Sequence, residues 1–181
     1  MSTPGITFCL LDGGQAAAHS GDVLALHDEA AGQGEDGTEF ARRFRVWRRQ
    51  PGFVLAEARS GGYLAGFAAG MPLRTSTSWW REVTAPLPAA VTAEYPGRTF
   101  ALTALLVRAS WRRQGIGRAL HEEILAGRPE ERATLTLPPG AAAAQHAFRN
   151  WNWQKVARTR GPGPGAPVLD VLVISLPAGR R

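Results

Sequence analysis

The stretch Thr99 to Gly127, TFALTALLVRASWRRQGIGRALHEEILAG, sets an apolar run, a basic glycine turn and an amphipathic run in immediate succession. Phe100 to Val107 is apolar except for Thr103, the pattern of a strand buried on both faces inside a sheet. The strand is expected to end near Arg108. Arg112, Arg113, Gln114, Gly115, Ile116 and Gly117 follow as a turn whose two glycines let a ligand come close to the main chain. A helix begins there. Ile116, Leu120 and Ile124 recur at i, i+4 and i+8, while Arg118, His121 and Glu122 lie off that stripe, on a face expected to be wet. Gly127 and Pro129 end the helix. The N–H groups of a helix's first turn and its positive dipole end attract anions, and neighbouring arginines add charge-assisted hydrogen bonds. This order suits a diphosphate. A turn that merely joins strand to helix is the competing reading, which the flanking strand, arginines and helix weaken.

Two other glycine fingerprints fail at named positions. A dinucleotide motif starting at Gly115 needs glycine or alanine where Leu120 stands, and the G-K-S or G-K-T of a nucleoside-triphosphate loop is absent. With Arg112-x-x-Gly115-x-Gly117 between strand and helix, the chain resembles the GNAT superfamily of N-acetyltransferases, whose signature is Q/R-x-x-G-x-G/A. Ala133 to Leu137 looks like that family's fifth strand, and AFRNWNWQKV, Ala147 to Val156, looks like its L-Y-E-K-x-G-F-x-x-V segment. The resemblance covers roughly the second half of the chain; the first half agrees in the order of elements.

The resemblance implies an α/β (α+β) fold. Its sheet would be mixed but mostly antiparallel, splayed at strands 4 and 5, with helices on both faces. It implies one domain over residues 1–181 with a coenzyme-binding core at about 99–176. The implied activity is direct transfer of an acetyl group from acetyl-CoA, a co-substrate, to a primary amine, without a metal. Main-chain groups of Leu105, Leu106 and Val107 would pair with the pantetheine arm. Arg112, Arg113, Gln114, Gly115, Ile116, Gly117 and Arg118 would wrap the pyrophosphate. A main-chain N–H near Val107 would stabilise the developing oxyanion.

The reactive side chains of the family pattern are missing. Phe148 falls on the tyrosine that many relatives use to protonate the leaving thiolate, and phenylalanine donates no proton. Ala141 replaces a frequent asparagine, Thr103 or Ala104 a strand glutamate, and Asn152 a glycine. No catalytic side chain is assigned. Two readings follow: an acetyltransferase whose proton comes from water or another group, or a non-catalytic acyl-CoA-binding or interaction module. His146 stands one turn from Asn150 as either a surface residue or the missing acid.

The bulk of the chain narrows the other classes. With 44% hydrophobic and 20% charged residues among 181, a globular fold with a sizeable core is expected. No apolar run reaches the ~18 residues of a membrane span, and no signal peptide is apparent, so a cytoplasmic location is expected. Cys9 is the single cysteine, expected as a small buried hydrophobe. His121-Glu-Glu-Ile-Leu125 falls short of H-E-x-x-H because Leu125 takes the second histidine's place. The net charge of +6 and the basic run at residues 42–49 raise nucleic acid as a partner. Phe40, Phe44 and Trp47 on helical spacing instead make that run an amphipathic helix with a solvated basic face.

The remaining elements are expected as a strand at Ile6–Leu11, a helix at Asp22–Ala30, and a flexible acidic connection at Gly32–Gly37. A second helix is expected at Glu39–Arg49, then a hairpin of Phe53–Arg59 and Tyr63–Leu73 around Ser60-Gly61-Gly62. Gly66 and Gly70 weaken its second strand or mark a bulge. Arg74 to Gly97 reads as an irregular insert whose Trp79-Trp80 pair either lines an acceptor pocket or caps the core. A helix at 141–150, a strand at 153–158, a loop at Gly161–Gly165, a strand at 168–176 and a fraying tail from Pro177 complete the chain. The apolar terminal strand offers an edge for a homodimer.

Overall fold

The structure, a computed structural model, describes residues 5–31, 36–161 and 165–177. Most of the expected acidic connection, the middle of the glycine-proline loop and the tail from residue 178 lie outside them. The strands are β1 (Thr7–Asp12), β2 (Val54–Ser60), β3 (Tyr63–Pro72), β4 (Thr99–Val107), β5 (Arg132–Leu137), β6 (Gln154–Arg160) and β7 (Val168–Ser175). The helices are α1 (Gln15–Ala18), α2 (Ser20–Ala31), α3 (Gly37–Trp47), α4 (Ala89–Thr92), α5 (Ile116–Leu125) and α6 (Ala142–Asn150). The strand order is β1-β2-β3-β4-β5-β7-β6. β4 runs parallel to β5 over Thr99–Ala101, while β1–β2, β2–β3, β5–β7 and β6–β7 are antiparallel. The mixed, mostly antiparallel α/β sheet is thus as the sequence implied. The chain forms two compact units, one of residues up to Met71 with Leu102–Gly127, the other of Pro72–Ala101 with the residues from Arg128 on.

In the first unit the hairpin carries the core. On one face Leu55, Phe67 and Ala69 pack with Val23 and Leu26 of α2 and Phe40 and Phe44 of α3. Helix α3 starts where the Asp36 carboxylate accepts the Thr38 N–H at 2.8 Å, a side-chain N-cap. Arg42 and Arg45 are exposed, Arg42 pairing with Glu39 at 2.6 Å, whereas Arg43 is half-buried and lies 5.1 Å from the Trp47 ring centre. The β2–β3 register slips where Ala58 faces Gly66 but Arg59 faces Leu64. The additional residue, Ala65, turns Leu64 onto the same face as Phe67. The short helix α1 was not expected; four residues are too few to show a helical period.

Cys9 is exposed, against expectation. It sits on edge strand β1, with its Sγ 3.9 Å from Glu57 Oε2; burial first, and the Glu57 charge next, push its thiol up.

The second unit holds the insert, β5, α6 and the β6–β7 hairpin. Trp80 is buried, so it caps the core of its unit: its indole N–H donates to Glu94 Oε1 at 2.8 Å. That carboxylate also accepts from Thr99 at 2.9 Å and from Arg132 at 2.9 Å. The insert is tied to β6 as well, through Val83 opposite Thr159. β7 is paired on both edges, to β5 and β6, so it does not offer the open edge on which the homodimer expectation rested. Among the described residues, no helix is long and apolar enough to cross a membrane.

Candidate functional site

The strand, turn and helix of residues 102–118 all belong to the first unit. β4 is buried on both faces only as far as Leu102; from Thr103 to Val107 it is half-buried. The sequence expected full burial because the apolar run continues, yet pairing to β5 stops at Ala101. The Arg108 N–H bonds to Ala65 O at 2.9 Å. Because N–H and C=O groups alternate along a strand, those of Val107 and Leu105 face the edge of β4 turned away from β3.

Arg108 anchors the end of β4. Its side chain is buried, donates from Nε to Leu64 O at 2.8 Å, lies 4.5 Å from the Tyr63 ring centre and pairs with Glu29. A 3-10 turn at Ala109–Trp111 follows. Arg112 then reaches back to donate from Nε to Val107 O at 3.0 Å, and Gln114 donates to Ser110 O at 3.2 Å. Arg113 has φ 61 and Gly115 φ 81. A left-handed residue without glycine costs about 1–3 kcal/mol, and these two reversals bring the chain into α5. Gly115 is its N-cap and, having no side chain, makes no side-chain cap bond of its own.

Arg112, Arg113, Gln114, Gly115 and Arg118 are exposed, whereas Ile116 is buried and Gly117 half-buried. Ile116 therefore anchors the turn and contributes only main chain to its surface. Arg118 is paired with Glu122 at 2.8 Å. Three arginines against one glutamate leave this helix start cationic.

Packing holds α5 where the turn delivers it. Ile116, Leu120, Ile124, Leu125 and His121 are its buried residues. His121 was expected on a wet face. The buried stripe is two residues wide, with His121 beside Leu120 and one turn before Leu125, so its imidazole is taken in. Desolvation lowers its pKa to about 4, the neutral ring being the form that tolerates burial. Gly66 of β3 permits the close packing: a Cβ there would lie 3.0 Å from Leu106 O, 3.1 Å from Leu120 Cδ1 and 3.2 Å from Val107 Cγ2. The bulge expected at this glycine sits one residue away, and its own role is close approach.

The family model described as the Acetyltransferase (GNAT) family matches residues 22–151, more than half of the chain. The chain belongs to the GNAT acetyltransferase family. No curated protein matches it. Among solved structures it is similar to Arabidopsis thaliana NAA60 in complex with acetyl-CoA, at TM-score 0.68 and 17% identity over 94% of this chain and 99% of that one. It is similar to the ribosomal-protein-S18-alanine N-acetyltransferase from Escherichia coli, at TM-score 0.64 and 16% identity over 97% and 96% of the two chains. It is also similar to aminoglycoside 6'-acetyltransferase type Ii, at TM-score 0.67 and 14% identity over 93% and 96%. At such identities the likeness concerns the GNAT fold.

In this GNAT chain Phe148 is buried, its ring edge-on to Trp151 at 5.2 Å and to Trp153 at 5.6 Å. His146 is exposed and bonded to Asn150 at 2.9 Å. Sequence reasoning missed a cluster in the first unit. Glu57 is fully buried, 3.0 Å from His19 Nδ1 and 2.7 Å from Arg59 Nε, and Arg59 reaches Asp22 at 2.7 Å. The one signal was an acidic residue inside the apolar run Phe53 to Ala58. Among the described residues no group of three or more His, Cys, Asp or Glu is arranged to hold a metal.

Proposed function

We propose that this protein is an N-acetyltransferase whose chain forms one catalytic domain and moves an acetyl group from acetyl-CoA to a primary amine. The observation that carries the reading is the family match over residues 22–151 together with a cationic start of α5, with glycine as its N-cap, at Arg112-x-x-Gly115-x-Gly117. Arg112, Arg113, Gln114, Gly115, Ile116, Gly117 and Arg118 hold the pyrophosphate, with main-chain N–H groups and guanidinium groups as donors. Leu105 and Val107 align the pantetheine arm with their main-chain groups along the edge of β4 turned away from β3, and Leu106 lies between them with its main-chain groups towards β3. The amine nitrogen bonds to the thioester carbon, the C–S bond breaks, and the thiolate leaves with the proton the amine gives up. A main-chain N–H at Val107 stabilises the oxygen that gains charge in between.

A second reading, a non-catalytic acyl-CoA-binding module, is favoured by one observation. Phe148, at the position of the usual proton donor, is packed between two tryptophans and has no proton to give.

Calorimetric titration of acetyl-CoA and of CoA into the protein and into Gly117→Trp tests both readings. Micromolar binding lost in the variant is expected, followed by CoA release in a panel of amines. Absence of binding by the folded protein would overturn the acetyltransferase reading. Tight binding without CoA release from any amine would transfer support to the module.

A further inference from the structure

A concave site lies within the second unit and shares no residue with the turn at 112–118. It is a cavity of about 540 Å³ between one face of α6 and strands β6 and β7, within the range of small-molecule pockets. Arg149, Lys155 and Arg158 bring three cations to its lining, and His146 stands beside them. One carboxylate opposes them. Asp170 is buried and fully engaged: its Oδ1 takes Lys155 Nζ at 2.6 Å and Arg158 Nε at 3.2 Å, and its Oδ2 takes Gln145 Nε2 at 3.1 Å.

The charge count decides the sign. Asp170 neutralises one of the three cations, so the lining retains two positive charges before His146 is considered. The Asp170 bonds also orient two of the cationic side chains, lowering the entropy a ligand must remove to use them. Trp153, buried behind α6, gives the cavity an apolar wall. Cations held in place beside an aromatic wall recognise an anion that carries an apolar body.

We propose that this cavity binds a small organic dianion, a phosphate monoester or a dicarboxylate, with its oxyanion groups on Arg149, Lys155 and Arg158 and its apolar part on Trp153. Arg149 is the clean handle. It lies exposed on α6 and makes no bond to Asp170, so its replacement leaves the internal Asp170 network intact.

The test is titration of the full chain with phenyl phosphate, phthalate and inorganic phosphate, followed by the ¹H–¹⁵N resonance of the Trp153 indole. Trp153→Phe assigns that signal. A saturable shift is expected, with phenyl phosphate or phthalate tighter than inorganic phosphate; the tighter of the two aromatic probes identifies the head group. Arg149→Gln is expected to weaken binding about tenfold. Absence of a saturable shift, or unchanged affinity in folded Arg149→Gln, overturns the proposal. Displacement of phenyl phosphate by acetyl-CoA also overturns it, because the cavity would then belong to the coenzyme. Since the readout needs no turnover, its failure is separable from failure of the acetyltransferase reading.

Discussion

Arg112 closes its own turn by donating from Nε to the main-chain carbonyl of Val107, 3.0 Å away. One guanidinium thereby holds the end of β4 and keeps its exposed N–H groups for an anion at the start of α5. Arg112→Gln is expected to weaken acetyl-CoA binding about tenfold or more, measured by calorimetry. Arg112→Lys should recover only part of the loss, because an ammonium restores the charge without the planar fork. Equal affinity in all three proteins would remove Arg112 from the coenzyme site.

His121 makes stability depend on acidity in a defined window. Its pKa is lowered to about 4 by desolvation, whereas an unfolded chain holds it near 6.5. Between those values the unfolded state binds the extra proton, so stability is full above about pH 6.5 and declines as pH falls towards 4. Urea midpoints across this range should fall more steeply with acidity for the natural protein than for His121→Leu. Parallel slopes would show that another group controls the acid limb.

The two adjacent tryptophans should respond in opposite ways. Trp80→Phe removes a donor from Glu94, whose side chain is only 1% exposed, and should cost about 1–3 kcal/mol in denaturant unfolding. The indole Nε1 of Trp79 is buried and has no hydrogen-bond partner among the described residues. Trp79→Phe should therefore be neutral or slightly stabilising. A larger loss at Trp79 than at Trp80 would contradict the assignment of Trp80 as the anchor of the insert.

Phe148→Tyr tests the chemistry directly. If Phe148 occupies the position of the proton donor, the new hydroxyl should raise kcat, up to the ~10²- to 10⁴-fold that a positioned general acid contributes. The KM for acetyl-CoA should change little. An unchanged or lower kcat in a folded variant would show that the segment Ala147 to Val156 does not align as the family pattern suggests.

What the sequence determined by itself was whatever neighbouring residues decide together. The order from β1 to β7 was readable because period-two and period-3.6 patterns and glycine-proline punctuation are local. The turn at 112–118 was readable for the same reason: its arginines and glycines and the first turn of α5 are contiguous. Tertiary structure decided which faces were covered. Cys9 became exposed because β1 is an edge strand, and His121 became buried because the stripe on α5 is two residues wide. Glu57 found His19 across 38 residues, and Gly66 was required by a helix side chain that arrives only with Leu120. The cationic cavity draws on α6, β6 and β7 at once. Burial and charge pairing depend on which distant segments share a surface, and a one-dimensional pattern carries the period of a segment but not the identity of what will pack against it.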